Sequence, residues 1–462
     1  MKRYSVRWIL VTVLTGIVLL GAAGYACASL LKDAGEFTYR QRGQAGDAHA
    51  ADGLKITKQY YVRTSGNSSE YWISEGEFRY RNGELLVSTK RISGLLSEQE
   101  EEMKDYLNSG TNGPRFSINV ELYPLLEELL RTYDNERTVA VNLSEYYEYY
   151  PLSWSIRIPQ DGYYLKKEYD RENRKSDEAL QKRFPIPVLE NETYLLNRLQ
   201  GFIEGNGDSY LATDYSDLQS VGNDSEIFFF VKNRSAFGNP VDMSNLKDGY
   251  GIYRIPYRIT KKNGEKEIVA DADEISLFYP LPEDVNVVSL ALTADGETLF
   301  LRTEENERVI LTVIDVKTAE KLASFDLGDA EWCILQSGNL RTDYMVAYGD
   351  GFLHVIGRDA KGQWADRLQI PVVGALNTES KRAMNAWKLL HPDDASARYA
   401  YDGEGKLAIV SCSDNHPEQL SVTILTKDGV QFTDVMGLSV SDSVSLFTEG
   451  YYSGNMYTVE WE

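Results

Sequence analysis

The chain has 462 residues, with 70 Asp or Glu against 48 Lys or Arg and a formal net charge of −22. A surface of that sign repels nucleic acid and anionic lipid headgroups, and no basic stripe offsets it, so nucleic-acid binding is excluded as a function class. Three cysteines are too few for a disulfide scaffold and fit a bacterial exported protein that folds without one.

In chain order, Lys2, Arg3 and Arg7 precede an uncharged apolar run over 8–31. At about 1.5 Å per residue this run is long enough to cross a hydrocarbon core of about 30 Å. The basic flank should stay inside, which makes 1–7 a short cytoplasmic tail and 8–31 a single-pass anchor with the rest extracytoplasmic. Two other readings stay open. A signal peptidase could cut after Ala28, or Cys27 could carry a lipid. Residues 32–53 are poor in apolar side chains and are expected to be a flexible linker. The folded part is then expected over 54–462.

That part reads as mostly strands. Residues 54–63, 70–80 and 84–89 are strand-like, the last after an Asn82-Gly83 turn, as are 137–142, 153–158, 226–232, 250–260 and 266–270. Helices are expected at three insertions. One is 97–110, opened by the capping box of Ser97 and Glu100. The second is 124–133, with Leu125, Leu126, Leu129 and Leu130 on one face. The third is 380–390, with Ala383, Trp387 and Leu390 at helical spacing. The run Glu98, Glu100, Glu101 and Glu102 reads as a solvated face.

Residues 287–438 carry one pattern three times, in units over 287–327, 331–372 and 397–438. Each unit contains four short strands joined by turn residues. The matching turns are Asp315 to Thr318, Asp359 to Gly362 and Thr426 to Gly429. The repeat spacing is roughly 40–45 residues once 373–396 is set aside as an insertion, which is the size of a propeller blade. A single four-stranded sheet cannot bury both faces, so neighbouring sheets must stack around an axis. The expected fold is an all-β, six- or seven-bladed β-propeller with helical insertions, preceded by an N-terminal transmembrane helix. Residues 54–63 and 70–80 are expected to share a blade with 456–461, closing the ring. A two-sheet sandwich is the competing architecture.

The stretches Thr293, Asp295, Gly296, Leu299 and Leu301, and Val313, Asp315, Lys317 and Leu322, make this region resemble the WD-repeat type of β-propeller. The resemblance implies a fold and carries no functional residues.

Chemistry is harder to find. His354 falls in a strand, and His391 precedes Pro392, Asp393 and Asp394 without a second histidine or cysteine at ligand spacing. No calcium loop, phosphate loop, Gly-x-Ser-x-Gly elbow or His-Glu-x-x-His helix is present. No catalytic, cofactor or metal residue is assigned. Asp295-Gly296 reads as a hairpin turn, and Cys333 and Cys412 as buried thiols or a bridge. Tyrosine is abundant, at 31 residues, and offers a flat apolar face with a polar tip suited to sugars or proteins. Strand packing accounts for most tyrosines. The loop tyrosines Tyr146, Tyr147, Tyr149 and Tyr150, ahead of Pro151, are the candidate ligand contacts.

The expected function is a membrane-tethered, non-catalytic binding module. Its partners would be membrane lipid through the anchor, and a protein or cell-wall glycan. The alternative is an extracytoplasmic carbohydrate-active hydrolase or lyase using acidic residues in an axial pocket. A sensor working beside a membrane partner is a third reading, drawn from the short tail.

Overall fold

The computed structural model describes residues 38–462. The exceptions are 65–69, 92–95, 98–112, 130–138, 161–162, 170–174, 198–200, 207–219, 330–334, 337–343, 350–351, 372–397, 414–415, 440–447 and a few isolated positions. Antiparallel strands dominate it. Sheet 1 joins Arg115–Val120, Leu152–Gln160 and Tyr163–Glu168. Sheet 2 runs Ser220–Gly222, Glu226–Phe230, Gly251–Pro256 and Ser276–Pro280. Sheet 3 runs Asn286–Leu292, Thr298–Glu305, Arg308–Asp315 and Lys321–Asp329. Sheet 4 runs Leu335–Gln336, Tyr344–Gly349, Phe352–Arg358 and Trp364–Pro371. Sheet 5 runs Arg398–Tyr401, Leu407–Ser413, His416–Thr426 and Gly429–Ser439. Sheet 6 takes its first strand, Thr448–Trp461, from the C-terminus and the next three, Leu54–Thr64, Glu70–Arg81 and Glu84–Arg91, from the N-terminus.

The sheets pack face to face in that order. One core holds Phe116 and Ile156 of sheet 1, Phe229 and Ile255 of sheet 2, and Leu299 and Leu301 of sheet 3. Phe300 turns the other way and meets Met345 and Ile356 of sheet 4. Val355 of sheet 4 meets Ile409 of sheet 5, and Val422 and Ile424 of sheet 5 meet Ile56 and Val459 of sheet 6. Leu299, Phe300 and Leu301 are all fully buried. Successive side chains on a strand point to opposite faces, so this run fills two cores rather than one core and a wet face. Sheets buried on both sides and stacked in sequence order are propeller blades.

The terminal strands meet as the closing rule predicts. Leu54 lies opposite Trp461, Ile56 opposite Val459 and Lys58 opposite Tyr457. The expected linker over 32–53 is corrected in its described part. Thr38–Gly46 is a strand that pairs with Gly429–Ser439 and adds a fifth, outermost strand to sheet 5. Ala48–Ala51 is a short 3-10 turn that buries Ala51 completely. An edge strand is held by its backbone ladder, so its low apolar content misled the composition argument. Gly46 allows the join: its φ is +89°, and a Cβ there would sit 2.1 Å from the carbonyl oxygen of Gln431.

Other expectations fare variously. Pro124, Leu125, Glu128 and Leu129 are helical, with Leu125 and Leu129 buried. Ser97 is in a strand, Leu96–Ser97, and the rest of the helix expected over 97–110 lies outside the described residues, as do 380–390, Cys333 and His391. The anchor expected at 8–31 also lies outside them; among the described residues no helix is long and apolar enough to cross a membrane. The strand expected over 250–260 breaks at Tyr257, and Arg258–Lys262 turns instead into a hairpin with Glu265–Val269. Val139–Asn142, Thr193–Asn197 and Gly201–Asn206 form a separate three-stranded sheet, whose Val141 packs in the core shared by sheets 1 to 3.

The sheets have two chemically different ends. At one, the turn end, tight loops capped by one side chain join the first to the second and the third to the fourth strand of sheet 3, and the third to the fourth strand of sheets 4 and 5. The Asp315 carboxylate accepts from the amides of Lys317 and Thr318, and Asp359 accepts from those of Lys361 and Gln363. Asp295 accepts from the amide of Glu297, and Gly296 has the positive φ its hairpin requires. In the third unit Thr426 takes the aspartate's place and accepts from the amide of Asp428. These are Asx and Ser/Thr turns, which is why the repeat was visible at these residues.

The opposite, connection end carries the second-to-third turns and the links between sheets. In sheet 3 its turn is Asn306 and Glu307, with φ of 52° and 66°, between the paired residues Glu305 and Arg308. That is a two-residue type I′ hairpin, whose left-handed backbone asparagine adopts readily and glutamate only under strain. Glu307→Gly should therefore stabilise the protein by about 0.5–1 kcal/mol, as the relief of backbone strain exceeds the added unfolded-state entropy. Urea unfolding of the two proteins measures it.

Candidate functional site

The tyrosine loop is built from its two ends. Phe116 donates its amide to the Ser220 hydroxyl at 3.1 Å, and Ser220 lies just before the turn that opens at Asn223. The strand Arg115–Val120 thus starts at the turn end and runs toward the connection end. Glu121 and Pro151, which follow and precede the first two strands of sheet 1, therefore meet at the connection end, where the Glu121 amide donates to the Pro151 carbonyl at 2.7 Å. Between them in the chain, Asn142 caps a 3-10 turn, Leu143–Glu145, by accepting from the amide of Ser144 at 3.2 Å. Leu143 is buried beneath the loop.

The four candidate tyrosines divide here. Tyr146 is 45% exposed. Tyr147 and Tyr149 are half-buried. Burial raises the Tyr147 hydroxyl pKa, and the carboxylates of Glu128 and Glu121 add to the effect. The Tyr149 hydroxyl is raised mainly by Glu148, with Asp242 contributing from the second-to-third connection of sheet 2. Tyr150 is a correction: its side chain is fully buried, its hydroxyl donates to the Glu192 carboxylate, and it accepts from the amide of Leu189 at 3.3 Å. Its own amide donates to Ile186 at 3.0 Å. A buried tyrosine whose polar tip is spent on a neighbouring chain segment makes no ligand contact. Tyr150 turns fully inward beside the half-buried Tyr149.

Two ionisable clusters, one buried and one half-buried, carry no signal in the sequence. At the seam of sheets 5 and 6, Asp434 is fully buried, and its Oδ2 accepts from the Tyr80 hydroxyl at 2.9 Å and the Gln41 amide at 3.0 Å. Its Oδ1 has no hydrogen-bond partner among the described residues. Burial raises the Asp434 pKa, only partly opposed by the bonds from Tyr80 and Gln41, and burial drives Tyr80 well above its ordinary range. Nothing in the sequence signals a contact between residues 354 positions apart. The second cluster crosses the last hairpin of sheet 4. There His354 Nδ1 lies 2.8 Å from Asp366 Oδ2, which also accepts from Gln369 at 2.7 Å. Both clusters join strands. Among the described residues no group of three or more His, Cys, Asp or Glu is placed to hold a metal ion.

A carboxyl that holds its proton more tightly in the folded state than in the unfolded chain stabilises most below its ordinary pKa. Its contribution falls as pH rises through the shifted value. Asp434 should therefore make the fold less stable as pH increases from about 4. Asp434→Asn keeps the acceptor for Tyr80 and Gln41 without the charge and should flatten that dependence. Tyr80→Phe removes one of the two donors to a buried carboxylate and should cost about 1–3 kcal/mol. Urea unfolding across this pH range tests both.

No family model matches the chain, and no curated protein matches it in sequence. Solved structures of similar shape include the periplasmic gluconolactonase PpgL of Pseudomonas aeruginosa, at 12% identity and a TM-score of 0.28, over 86% of this chain and 99% of that one. A putative 6-phosphogluconolactonase of Bacteroides uniformis matches at 10% identity and a TM-score of 0.29, over 87% and 99%. The β-propeller domain of Cps50 (Swd1) from Myceliophteria thermophila matches at 9% identity and 0.23, over 66% and 98%. Overlaps this low carry no argument about activity, and the propeller architecture rests on the sheet order described above.

Proposed function

We propose that the chain is a membrane-tethered, extracytoplasmic β-propeller that binds a protein or cell-wall glycan partner and performs no chemistry of its own. The observation that carries the binding half is the loop at 146–150. Tyr150 and Leu143 pin it from beneath, which leaves Tyr146, with Tyr147 and Tyr149 beside it, displayed on a fixed backbone. Aromatic side chains held in place lose little entropy on contact, so such a loop is pre-organised for recognition. The buried Asp434 and the His354–Asp366 pair support the non-catalytic half, because both are engaged in joining strands.

The ring is read as six blades, sheets 1 to 6, with sheet 6 closing against sheet 1. The tether is the apolar run at 8–31 behind Lys2, Arg3 and Arg7. Full-length protein in detergent, passed over cell-wall material and over an extract of extracytoplasmic proteins, tests the binding role. Tyr146→Ala with Tyr149→Ala should lower retention at least ten-fold while leaving the unfolding midpoint unchanged. Equal retention, or release of sugar fragments from the cell-wall material, would contradict the proposal. Retention in the membrane pellet after extraction at high pH tests the tether.

A further inference from the structure

The position of Thr38 sets which end of the propeller meets the membrane. Thr38 lies opposite Ser439 and Gly46 opposite Phe432, so the first strand enters at the connection end of sheet 5 and leaves at the turn end. Only seven residue steps separate Thr38 from Leu31, the last residue of the apolar run. At no more than about 3.6 Å per residue, that length of chain reaches roughly 25 Å. A 22-residue flexible linker would leave the propeller free to present either face. The strand Thr38–Gly46 removes most of that freedom by tying the chain to the rim of sheet 5.

We propose that the connection end faces the bilayer, with the tyrosine loop in the gap between propeller and membrane. This rests on the anchor reading given above. Two observations place the loop at that end: the direction of Arg115–Val120, and the nearness of Tyr149 to Asp242 in the second-to-third connection of sheet 2. The exposed side chains there include Glu145, Glu148, Asp284 and Glu307. They repel anionic headgroups, so the covalent tether and not charge attraction holds this face near the lipid. A ligand for Tyr146 must enter a gap about as deep as the tether is long. That geometry selects a segment of another protein anchored in the same membrane over cell-wall polymer beyond the propeller.

The test uses full-length protein in vesicles of zwitterionic lipid whose headgroups carry an energy-transfer acceptor. A donor dye is attached through an azide-bearing residue placed at Asp284, at the connection end, or at Lys317, at the turn end of sheet 3. Both positions are exposed, so neither label disturbs a core. They are separated along the strands by about 24 Å, the seven residue steps of Arg308–Asp315 at about 3.4 Å each. Transfer from position 284 should exceed that from position 317 at least two-fold. Equal transfer, or stronger transfer from 317, in protein that stays with the vesicles would overturn the orientation alone. Protein that washes off the vesicles would overturn the anchor, and the orientation with it.

Discussion

Removing the chain from Thr448 onward should abolish cooperative folding. The strand Thr448–Trp461 contributes the buried side chains Tyr457 and Val459 to the core between sheets 5 and 6. The Tyr457 hydroxyl donates to the Val410 carbonyl at 2.8 Å, and the Trp461 indole donates to the Ala400 carbonyl at 3.0 Å. Burial of Tyr457 and Val459, with the half-buried Trp461, contributes on the order of 5 kcal/mol, which is comparable with the whole stability of a typical domain. The loss also leaves one side of Leu54–Thr64 unpaired and uncovers its Ile56, fully buried in the intact protein, an invitation to aggregation. The truncated protein should show no urea transition and should elute as aggregate, whereas removal of Glu462 alone should change little.

Phe229→Ala should cost about 3–5 kcal/mol. Phe229 is 2% exposed, with ring centroids 4.5 Å from Phe116 of sheet 1, 5.8 Å from Tyr253 of its own sheet and 6.1 Å from Phe184. Phe184 follows a short helix, Glu178–Arg183, whose cap Asp177 accepts from the amides of Ala179 and Leu180 and from the Trp154 indole. The ring therefore joins two blades and the helix wedged beside them. A cavity there cannot collapse without moving all three. The midpoint in urea should fall accordingly, and Phe229→Leu should recover most of it.

The sequence shows this architecture where a turn demands a particular residue. Asp315 and Asp359 mark repeats because their carboxylates replace backbone partners in tight loops, and the Asp295-Gly296 hairpin appears for the same reason. The pairing of 54–63 with the C-terminus was legible because an incomplete set of strands at each end needs the other. Thr38–Gly46 was hidden, since an edge strand requires only a ladder and its Gly, Ala and Gln content looks like a linker. Tyr150 was misplaced because composition groups five neighbouring positions that a backbone turns to different sides. Asp434 was invisible: its partners Tyr80 and Gln41 come from the other end of the chain. Local chemistry is legible in one dimension, and contacts across the seam are not.

The central claim is that the two ends of the chain share one blade. Thr57 and Thr458 are directly opposite across that seam. With both replaced by cysteine, mild oxidation of the full-length protein should give a digest in which the peptide containing position 57 is joined to the one containing position 458. The bond closes a loop of almost the whole chain, so the urea midpoint should rise by the equivalent of about 3–5 kcal/mol. Absence of that joined peptide, with both cysteines remaining free in folded protein, would contradict a ring closed by its own termini.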